Sequence, residues 1–282
     1  MRFDPPPTAL VLADVRRALA EDLGSGDATA DLLPADATAR ARVLTRETAI
    51  LCGQAWFELC FRELDRDMSI VWHAADGDRL TADQVFVELH GNARALVSAE
   101  RSALNFIQTL SGTATATAAH VAVVAGTRTR ILDTRKTLPG LRVAQKYAVR
   151  CGGGANHRIG LFDALLIKEN HIAAAGSLTA AVAAARSHHP ALLLEVEVET
   201  FDELREALAA GVDRVMLDEF SDADLARAVV EVAGRAEIEV SGGVDLQRLA
   251  AIAASGVDFI SIGALTKHVR AIDLSMRVSL ES

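Results

Sequence analysis

The hydrophobic and polar positions of this 282-residue chain follow two rhythms, one on each side of about residue 130. On the first side, residues 9–22 carry apolar side chains at helical spacing, which predicts an amphipathic helix ended by the turn at 24–27. An aromatic-rich stretch around 56–61 predicts a second helix, set among short strands. The strands are expected at 40–45, 69–73, 85–89 and 94–97, with a turn at 91–92. Residues 98–100 are expected to cap a long helix that runs toward residue 124.

Beyond about residue 130, short apolar runs alternate with stretches rich in Ala and Leu. The runs predict buried strands at 129–133, 164–167, 192–198, 214–217, 237–240 and 259–262. The stretches between most of them predict helices at 178–187, 202–210, 222–233 and 245–254. Such alternation with short loops indicates a parallel sheet with crossover helices. Six strands in one direction predict a closed or nearly closed barrel, although an open doubly wound sheet gives a similar pattern.

Composition and charge narrow the possible functions. Hydrophobic residues make up 50% of the chain and aromatic residues only 4%, which favours a close-packed α/β core of small aliphatic side chains. The formal net charge of −9 argues against a general binder of nucleic acid or of membrane surfaces. The three cysteines show no C-x-x-C spacing, so neither a disulfide framework nor a zinc site is expected. Neither a signal peptide nor a transmembrane helix is predicted, and the expected compartment is the cytoplasm.

Polar residues cluster at the carboxyl ends of the predicted barrel strands, where parallel α/β folds bind their ligands. The six successive ends carry Thr134, Arg135 and Lys136; Lys168; Glu195, Glu197 and Glu199; Asp218; Ser241, Gly242 and Gly243; and Gly263. Further basic residues lie nearby in the sequence, namely Arg142, Arg150, His157 and Arg158. A single charge at a strand end means little, whereas six consecutive polar ends predict a common site.

The chemistry of this set indicates an anionic substrate. Arginine pairs bidentately with carboxylate or phosphate, and lysine serves as a compact charge. The glycines at 242, 243 and 263 allow backbone N–H groups to approach a phosphate without a Cβ atom in the way. Glu197 and Asp218 suit ribose hydroxyls or Mg²⁺, which commonly bridges carboxylates and pyrophosphate. Glu195, Glu197 and Glu199 share one strand face, so burying all three without a partner is costly and indicates a function for at least one.

Three segments of the barrel half resemble the quinolinate phosphoribosyltransferase family, also called nicotinate-nucleotide pyrophosphorylase (carboxylating). They are residues 134–140 (TRKTLPG), 151–158 (CGGGANHR) and 168–171 (KENH). Further matching segments lie at 21–27, 100–105, 195–199, 216–218, 241–243 and 263–266, in order along nearly the whole chain. Any one of these motifs is weak alone, but together they are specific.

This resemblance implies a fold, an assembly and a reaction. The implied fold is an N-terminal α+β sandwich domain over residues 1–110, which also receives 271–282, and an incomplete parallel α/β barrel over 111–270. The implied assembly is a homodimer in which the N-terminal domain of one subunit completes the site of the other. The implied reaction transfers the phosphoribosyl group of phosphoribosyl pyrophosphate (PRPP), with Mg²⁺, to quinolinate. Its products are nicotinate mononucleotide, pyrophosphate and carbon dioxide, a step of de novo NAD biosynthesis.

The resemblance also assigns roles to individual residues of this sequence. Quinolinate would be bound by Arg135, His157, Arg158 and Lys168, with Arg101 reaching in from the other subunit. PRPP would be bound by Thr134, Lys136, Glu197, Asp218, Ser241, Gly242, Gly243 and Gly263. The implied catalytic residues are Lys136, Lys168, Glu197 and Asp218, of which Glu197 and Asp218 would hold Mg²⁺. Either Lys168 or Lys136 would protonate the carbanion left by decarboxylation.

Three other functions remain open at the level of sequence. The first is a phosphoribosyltransferase of the same fold that acts on nicotinate or another aromatic acid, or a relative tied to molybdenum transport. The four bases Arg101, Arg135, Arg158 and Lys168 favour a substrate with two carboxylates instead. The second is a barrel aldolase that uses Lys168 as a Schiff-base lysine. The third is a catalytically silent metabolite sensor with the same pocket.

Overall fold

A computed structural model describes residues 3–243 and 246–281 of the chain. The described residues form two compact units. The first unit contains residues up to 118, residues 137–153 and residues from 265 onward, and the second contains 119–136 and 154–264. Among the described residues, every helix is too short or too polar to cross a bilayer.

The elements follow one another in an α+β half and a β/α half. Up to residue 123 they are α1 (Thr8–Leu23), a 3₁₀ turn (Ala30–Leu32), β1 (Thr38–Thr45), β2 (Ala49–Ile50), α2 (Gln54–Leu64), β3 (Ser69–Trp72), β4 (Arg79–Leu80), β5 (Val85–Asn92) and α3 (Ala93–Val123). They continue with β6 (Arg130–Leu132), α4 (Arg142–Cys151), β7 (Ala164–Ile167), α5 (Glu169–Ala175), α6 (Leu178–His188), β8 (Leu193–Val198) and α7 (Phe201–Ala210). The last are β9 (Arg214–Leu217), α8 (Asp222–Val232), β10 (Glu237–Val240), α9 (Leu246–Ala254), β11 (Phe259–Ser261), α10 (Ala264–Lys267) and β12 (Leu274–Leu280).

The first unit is built on an antiparallel sheet in the order β12-β1-β5-β3. Strand β1 buries Ala39, Ala41 and Val43 and exposes the residues between them, so one face of the sheet is apolar. Helices α1, α2 and α3 contribute to the same buried cluster, which contains most of the aromatic side chains of the unit, such as Trp56 and Phe57. The closing strand β12 pairs with β1 from Ala39 opposite Leu280 to Thr45 opposite Leu274.

Three predictions at the start of α3 are wrong: the turn at 91–92, the strand at 94–97 and the helix cap at 98–100. Residues 94–97 are helical and not a strand, and β5 runs through 91–92 without a turn. The helix begins at Ala93 because the Asn92 side chain accepts a hydrogen bond from the Ala95 N–H at 3.1 Å. Ser98 therefore lies inside the helix, and its hydroxyl donates to Asp27 at 2.8 Å. The Asn92 cap, followed by helix-forming residues such as Ala95 and Leu96, favours a helix more strongly than the alternation of four residues favours a strand.

The second unit is an incomplete parallel barrel. Its six strands lie in the order β6-β11-β10-β9-β8-β7, so chain neighbours are sheet neighbours from β7 to β11, the first strand lies beside the last, and β6 and β7 form the two ends of the sheet. A doubly wound sheet would reverse its order at a switch point, and this order does not reverse. Only an isolated parallel bridge, from Leu132 to Ala155, extends the sheet beyond β6 among the described residues. The prediction of an α/β barrel is confirmed.

The predicted strands and helices of the barrel agree with the observed ones to within two residues. The predicted helix at 245–254 is observed from Leu246, and Asp245 lies outside the described residues. Helices α4 and α5 and the short α10 were not predicted. All six strands are parallel, so their carboxyl ends meet at one rim of the barrel.

Candidate active site

The rim of the barrel collects most of the residues that the sequence singles out. Twelve of the thirteen predicted site residues belong to the second unit, at or just beyond the carboxyl ends of its strands or in the segment 154–158. They are Thr134, Arg135, Lys136, His157, Arg158, Lys168, Glu197, Asp218, Ser241, Gly242, Gly243 and Gly263. The thirteenth, Arg101, lies on α3 in the first unit.

Lys168 and Glu197 form an ion pair between neighbouring strands at the rim. Lys168 follows β7 directly and caps α5, where its backbone N–H donates to His171 Nδ1 at 3.0 Å. The Lys168 side chain is 43% exposed and that of Glu197 only 10% exposed. The pair therefore has its carboxylate inside the barrel and its ammonium group turned toward the opening, where it can meet an anion.

Glycines make room for two charged side chains on the opposite side of the rim. A Cβ atom on Gly263 would lie 2.9 Å from Lys136 Cδ and 3.4 Å from Thr134 Oγ1. A Cβ atom on Gly242 would lie 2.7 Å from Asp218 Oδ1, and Gly242 also has a positive φ of 89°. Both close approaches require glycine, so Lys136 and Asp218 are held against bare backbone.

The charges of two guanidinium groups of the second unit, Arg135 and Arg158, interact. The pKa of Arg158 is lowered, first by burial and then by the nearby charge of Arg135. Arg158 Nη1 donates to the Ala164 carbonyl at 3.2 Å, while the buried Nε of Arg135 has no hydrogen-bond partner among the described residues. Two adjacent cations repel each other, so an anionic ligand with more than one charge would relieve an unfavourable arrangement.

Arg158 is preceded by a histidine that is held by buried acids. Asp133, directly after β6, is fully buried and accepts from Asn156 Nδ2 at 2.6 Å and from the His157 backbone N–H at 3.0 Å. His157 Nε2 lies 2.9 Å from Glu195 Oε2 and 3.5 Å from Glu239 Oε2. The sequence assigns no individual role to Asp133 or Glu239, and it singles out Glu195 only as one of three glutamates on a strand face. The sequence did contain a signal for Glu239. It lies two residues before Ser241, which directly follows the same strand, so both side chains are expected on the face that points into the barrel.

The pKa values of Glu195 and Glu239 lie above the usual value for a glutamate. Burial raises the pKa of Glu195 to about 7. Burial and the charge of Glu195 raise the pKa of Glu239 to about 8. Arg214 lowers both values by attraction, but burial dominates, so the folded chain holds these protons more tightly than the unfolded chain.

This difference predicts a pH dependence of stability. The pKa values of both glutamates are higher in the folded chain than the value of 4.5 in the unfolded chain. Stability therefore falls as the pH rises from about 5 to about 8 and is constant above that range. Glu239→Gln removes one of the titrating groups and is expected to flatten this fall. The thermal unfolding midpoint, followed against pH, measures the effect. Glu237→Gln, at an exposed site on the same strand, serves as the control, and equal slopes for the two variants would contradict the assignment.

Arg101 lines a cavity of about 440 Å³ within the first unit. The residues around it that bear charge or amide groups are Asp14, Arg17, Glu21, Asp22 and Asn105, and the segment at Leu138–Pro139 closes one side. Arg101 is exposed.

The fold and the rim define an α/β-barrel enzyme site built to hold several negative charges. Comparison with known proteins gives the family. The family model for the C-terminal domain of quinolinate phosphoribosyl transferase matches residues 113–277, and the model for its N-terminal domain matches residues 27–111. The chain therefore belongs to the quinolinate phosphoribosyltransferase family.

Individual relatives agree with this assignment. A probable nicotinate-nucleotide pyrophosphorylase [carboxylating] of Bacillus subtilis is 42% identical over 93% of this chain and 91% of its own length. Another, from Synechocystis, is 41% identical over 97% of this chain and 94% of its own length. The solved structure of the nicotinate-nucleotide pyrophosphorylase from Francisella tularensis is 49% identical, with a TM-score of 0.93 and coverage of 99% of both chains. The resemblance predicted from the motifs is confirmed.

Proposed function

We propose that this chain transfers the phosphoribosyl group of PRPP to quinolinate, with loss of pyrophosphate and carbon dioxide, to form nicotinate mononucleotide in NAD biosynthesis. The observation that carries the proposal is the set of cations on one barrel: Arg135 with a buried, unpartnered Nε among the described residues, Arg158, whose pKa is affected by the charge of Arg135, and Lys168 at the rim. A substrate with two neighbouring carboxylates satisfies both guanidinium groups at once. A monocarboxylate such as nicotinate would leave one of them unpaired.

The phosphate groups of PRPP fit the other side of the rim. The Gly242–Gly243 turn after β10 and Gly263 after β11 leave backbone accessible, which is the geometry that phosphate oxygens require. Lys136, packed against Gly263, supplies a cation at the same edge. Ser241 and Thr134 are half-buried and supply hydroxyl groups next to it.

Mg²⁺ would enter with PRPP, and the carboxylates available fit it. The Asp218 side chain has no hydrogen-bond partner in the part of the chain that the structure describes, whereas Glu197 is paired with Lys168. Mg²⁺ usually takes one or two carboxylates together with substrate phosphates and water, so Asp218 is the better ligand and Glu197 a second one. Bound there, the ion would supply positive charge for the pyrophosphate group that leaves.

The reaction follows from these charges. The ring nitrogen of quinolinate attacks the anomeric carbon while the bond to pyrophosphate breaks, and positive charge develops on the ribose. Glu197, largely buried in the barrel, faces this region and can stabilise that charge or hold the ribose hydroxyls. Lys136 and the backbone N–H groups at 242–243 stabilise the departing pyrophosphate.

Decarboxylation comes next. Once alkylated, the pyridinium ring accepts the electron pair of the breaking carbon–carboxylate bond, and the resulting carbanion takes up a proton. Lys168 and Lys136 are the two candidate proton donors. Lys168 is one of the residues proposed to bind quinolinate, whereas Lys136 packs against Gly263 on the side proposed for PRPP, so we favour Lys168.

The same proposal includes a homodimer in the cytoplasm. Arg101 is an exposed cation in an open cavity, and it would complete the diacid site of a second copy of the chain. The three cysteines, Cys52, Cys60 and Cys151, are buried free thiols, which suits a reducing compartment.

The aldolase alternative fits the site less well. A Schiff-base lysine needs a neutral amine, usually in an apolar pocket, whereas Lys168 is ion-paired with a carboxylate. A silent sensor would keep the same contacts and differ only in the absence of turnover.

Turnover separates these functions. Purified protein with carboxyl-labelled quinolinate, PRPP and Mg²⁺ is expected to release carbon dioxide, pyrophosphate and mononucleotide in equal amounts. Turnover of nicotinate without carbon dioxide would reassign the substrate. Tight binding of both substrates without products would identify a sensor, and trapping of a carbonyl substrate by borohydride would identify an aldolase.

A single glycine tests the PRPP half of the site. Gly242→Ala is expected to raise the KM for PRPP about tenfold, because the new Cβ displaces the Asp218 carboxylate. The KM for quinolinate is expected to change little. Gly243→Ala is the matched control, since Gly243 also has a positive φ (50°) but a Cβ there meets nothing within 4 Å. Equal effects of the two substitutions would show that backbone strain, and not Asp218, is responsible.

A further inference from the structure

The interior of the barrel contains two carboxylates that the proposed reaction does not use. Glu195 on β8 is 1% exposed and Glu239 on β10 is fully buried. Barrel interiors are ordinarily filled by branched apolar side chains. Burying a carboxylate is costly unless it is well paired, and one oxygen of each glutamate has no hydrogen-bond partner among the described residues. The arrangement therefore calls for a reason other than stability.

Both carboxylates face the same donor. His157 Nε2 lies 2.9 Å from Glu195 Oε2 and 3.5 Å from Glu239 Oε2. The direction of this interaction is fixed by the other ring nitrogen, because His157 Nδ1 accepts a hydrogen bond from the Arg158 backbone N–H at 2.8 Å. A nitrogen that accepts carries no proton, so Nε2 carries the ring proton and donates a hydrogen bond to Glu195, the nearer of the two glutamates.

The same geometry argues against a metal ion among these three side chains, although their ligand atoms lie within 4.8 Å of one another. A metal would need the lone pair of Nε2, and the proton would then move to Nδ1, against the Arg158 N–H. Arg214 Nη1 also lies 3.3 Å from Glu239 Oε2, the oxygen that a metal would use. A metal ion bound to that oxygen would be repelled by the guanidinium group of Arg214.

The imidazole thus connects the barrel interior to the segment that carries Arg158. Its ring is held by Glu195 and Glu239, its own backbone N–H by Asp133, and the backbone N–H of Arg158 by the ring. Burial lowers the pKa of Arg158, and the charges of Arg135 and Glu195 act on it next, so Arg158 is electrostatically linked to both sides of this cluster.

We propose that Glu195 and Glu239 are positioning residues of the diacid subsite, which orient His157 and, through it, Arg158 toward the two carboxylates of the substrate. This inference rests on the proposed function for the identity of the substrate. It predicts that the two glutamates set the KM for quinolinate and leave the KM for PRPP unchanged. A purely structural role would affect both substrates and the stability of the fold together.

Steady-state kinetics with four variants tests the proposal. Glu195→Ala and Glu239→Ala are each expected to raise the KM for quinolinate about tenfold, since the first removes the buried hydrogen-bond partner of His157 Nε2 and the second removes the other carboxyl group that faces it. Glu237→Ala is the matched control, because Glu237 is also a partner of Arg214, at 2.7 Å, but its strand position is exposed and far from the His157 ring. Glu195→Gln keeps an acceptor of the same length and is expected to restore a KM near that of the wild type.

If the alanine variants do not fold, Glu195→Asp and Glu195→Gln decide the question. Asp keeps the charge but is one methylene shorter, so it is expected to raise the KM for quinolinate, whereas Gln is not. A KM for quinolinate equal to that of Glu237→Ala, or an equal rise for PRPP, would overturn the proposal. The proposal would also be overturned if a chelator, added to the wild type in the absence of PRPP, weakened quinolinate binding as much as Glu195→Ala does.

The tautomer of His157 provides a readout that does not depend on turnover. In protein labelled with ¹⁵N-histidine, the His157 ring is expected to be protonated at Nε2 in the wild type and to lose this fixed form in Glu195→Ala. The signal is assigned with His157→Gln. Absence of quinolinate turnover by the wild type would refute the proposed function. A His157 ring protonated at Nδ1 would refute the positioning role, whatever the substrate.

Discussion

Arg135→Ala is expected to raise the KM for quinolinate about 100-fold while the protein still folds. Hydrogen bonds to charged groups contribute about 1.5–3 kcal/mol each, and a bidentate pair with a carboxylate lies at the upper end of that range. The substitution also removes the cation that faces Arg158, so the free protein loses a repulsion and folding is not impaired. Kinetics at saturating PRPP, together with the thermal unfolding midpoint, measure the two effects separately.

The control for this variant comes from the other end of the same strand. Arg128 precedes β6, is 66% exposed and pairs with Asp258. Arg128→Ala removes an arginine from the same unit without touching the rim, and its KM for quinolinate is expected to match that of the wild type. A similar rise for both variants would mean that net charge, and not the position of Arg135, governs substrate binding.

Lys168→Ala is expected to lower kcat about 1,000-fold, because removing a positioned proton donor costs between about 100-fold and 10,000-fold. The variant also leaves Glu197 without its partner, which makes the single substitution ambiguous. Glu197→Gln and the double variant resolve this point. If the pair acts as a unit, the double variant is expected to lose no more activity than Lys168→Ala alone.

Comparison with Lys136→Ala shows which of the two lysines donates the proton. It is expected to raise the KM for PRPP, since Lys136 packs against Gly263 at the phosphate side of the rim. If Lys136→Ala loses kcat as Lys168→Ala does, while Lys168→Ala only weakens quinolinate binding, the roles of the two lysines are the reverse of those proposed.

The barrel was predictable from sequence because several of its strands read as short apolar runs, such as Ala164–Ile167, separated by helical stretches. The helix start at Ala93 was not predictable from the same alternation. Four residues of β-like pattern cannot be told from the first turn of a helix unless the Asn92 cap is recognised. Helix α4 was missed because charged residues interrupt its apolar spacing, although Lys146 and Gln145 are buried in the fold.

The site was partly predictable for a similar reason. Parallel strands bring their carboxyl ends together, so the set from Thr134 to Gly263 could be selected without a structure. The residues behind that set were harder to find. Strand parity with Ser241 was the one signal for Glu239, and Asp133 directly follows β6; their contacts with His157 are what identify both as part of the site. Arg101 is predicted by resemblance only, since its proposed partners belong to another copy of the chain.

The cations of this acidic chain are proposed to meet at one rim in order to neutralise a diacid. A crystal structure with an unreactive aromatic diacid of the phthalate type tests this most directly. One carboxylate is expected against Arg135, the other against Arg158 and Lys168, with the His157 ring in contact. Density for the diacid elsewhere, or guanidinium groups of Arg135 and Arg158 turned to separate surfaces, would contradict the account.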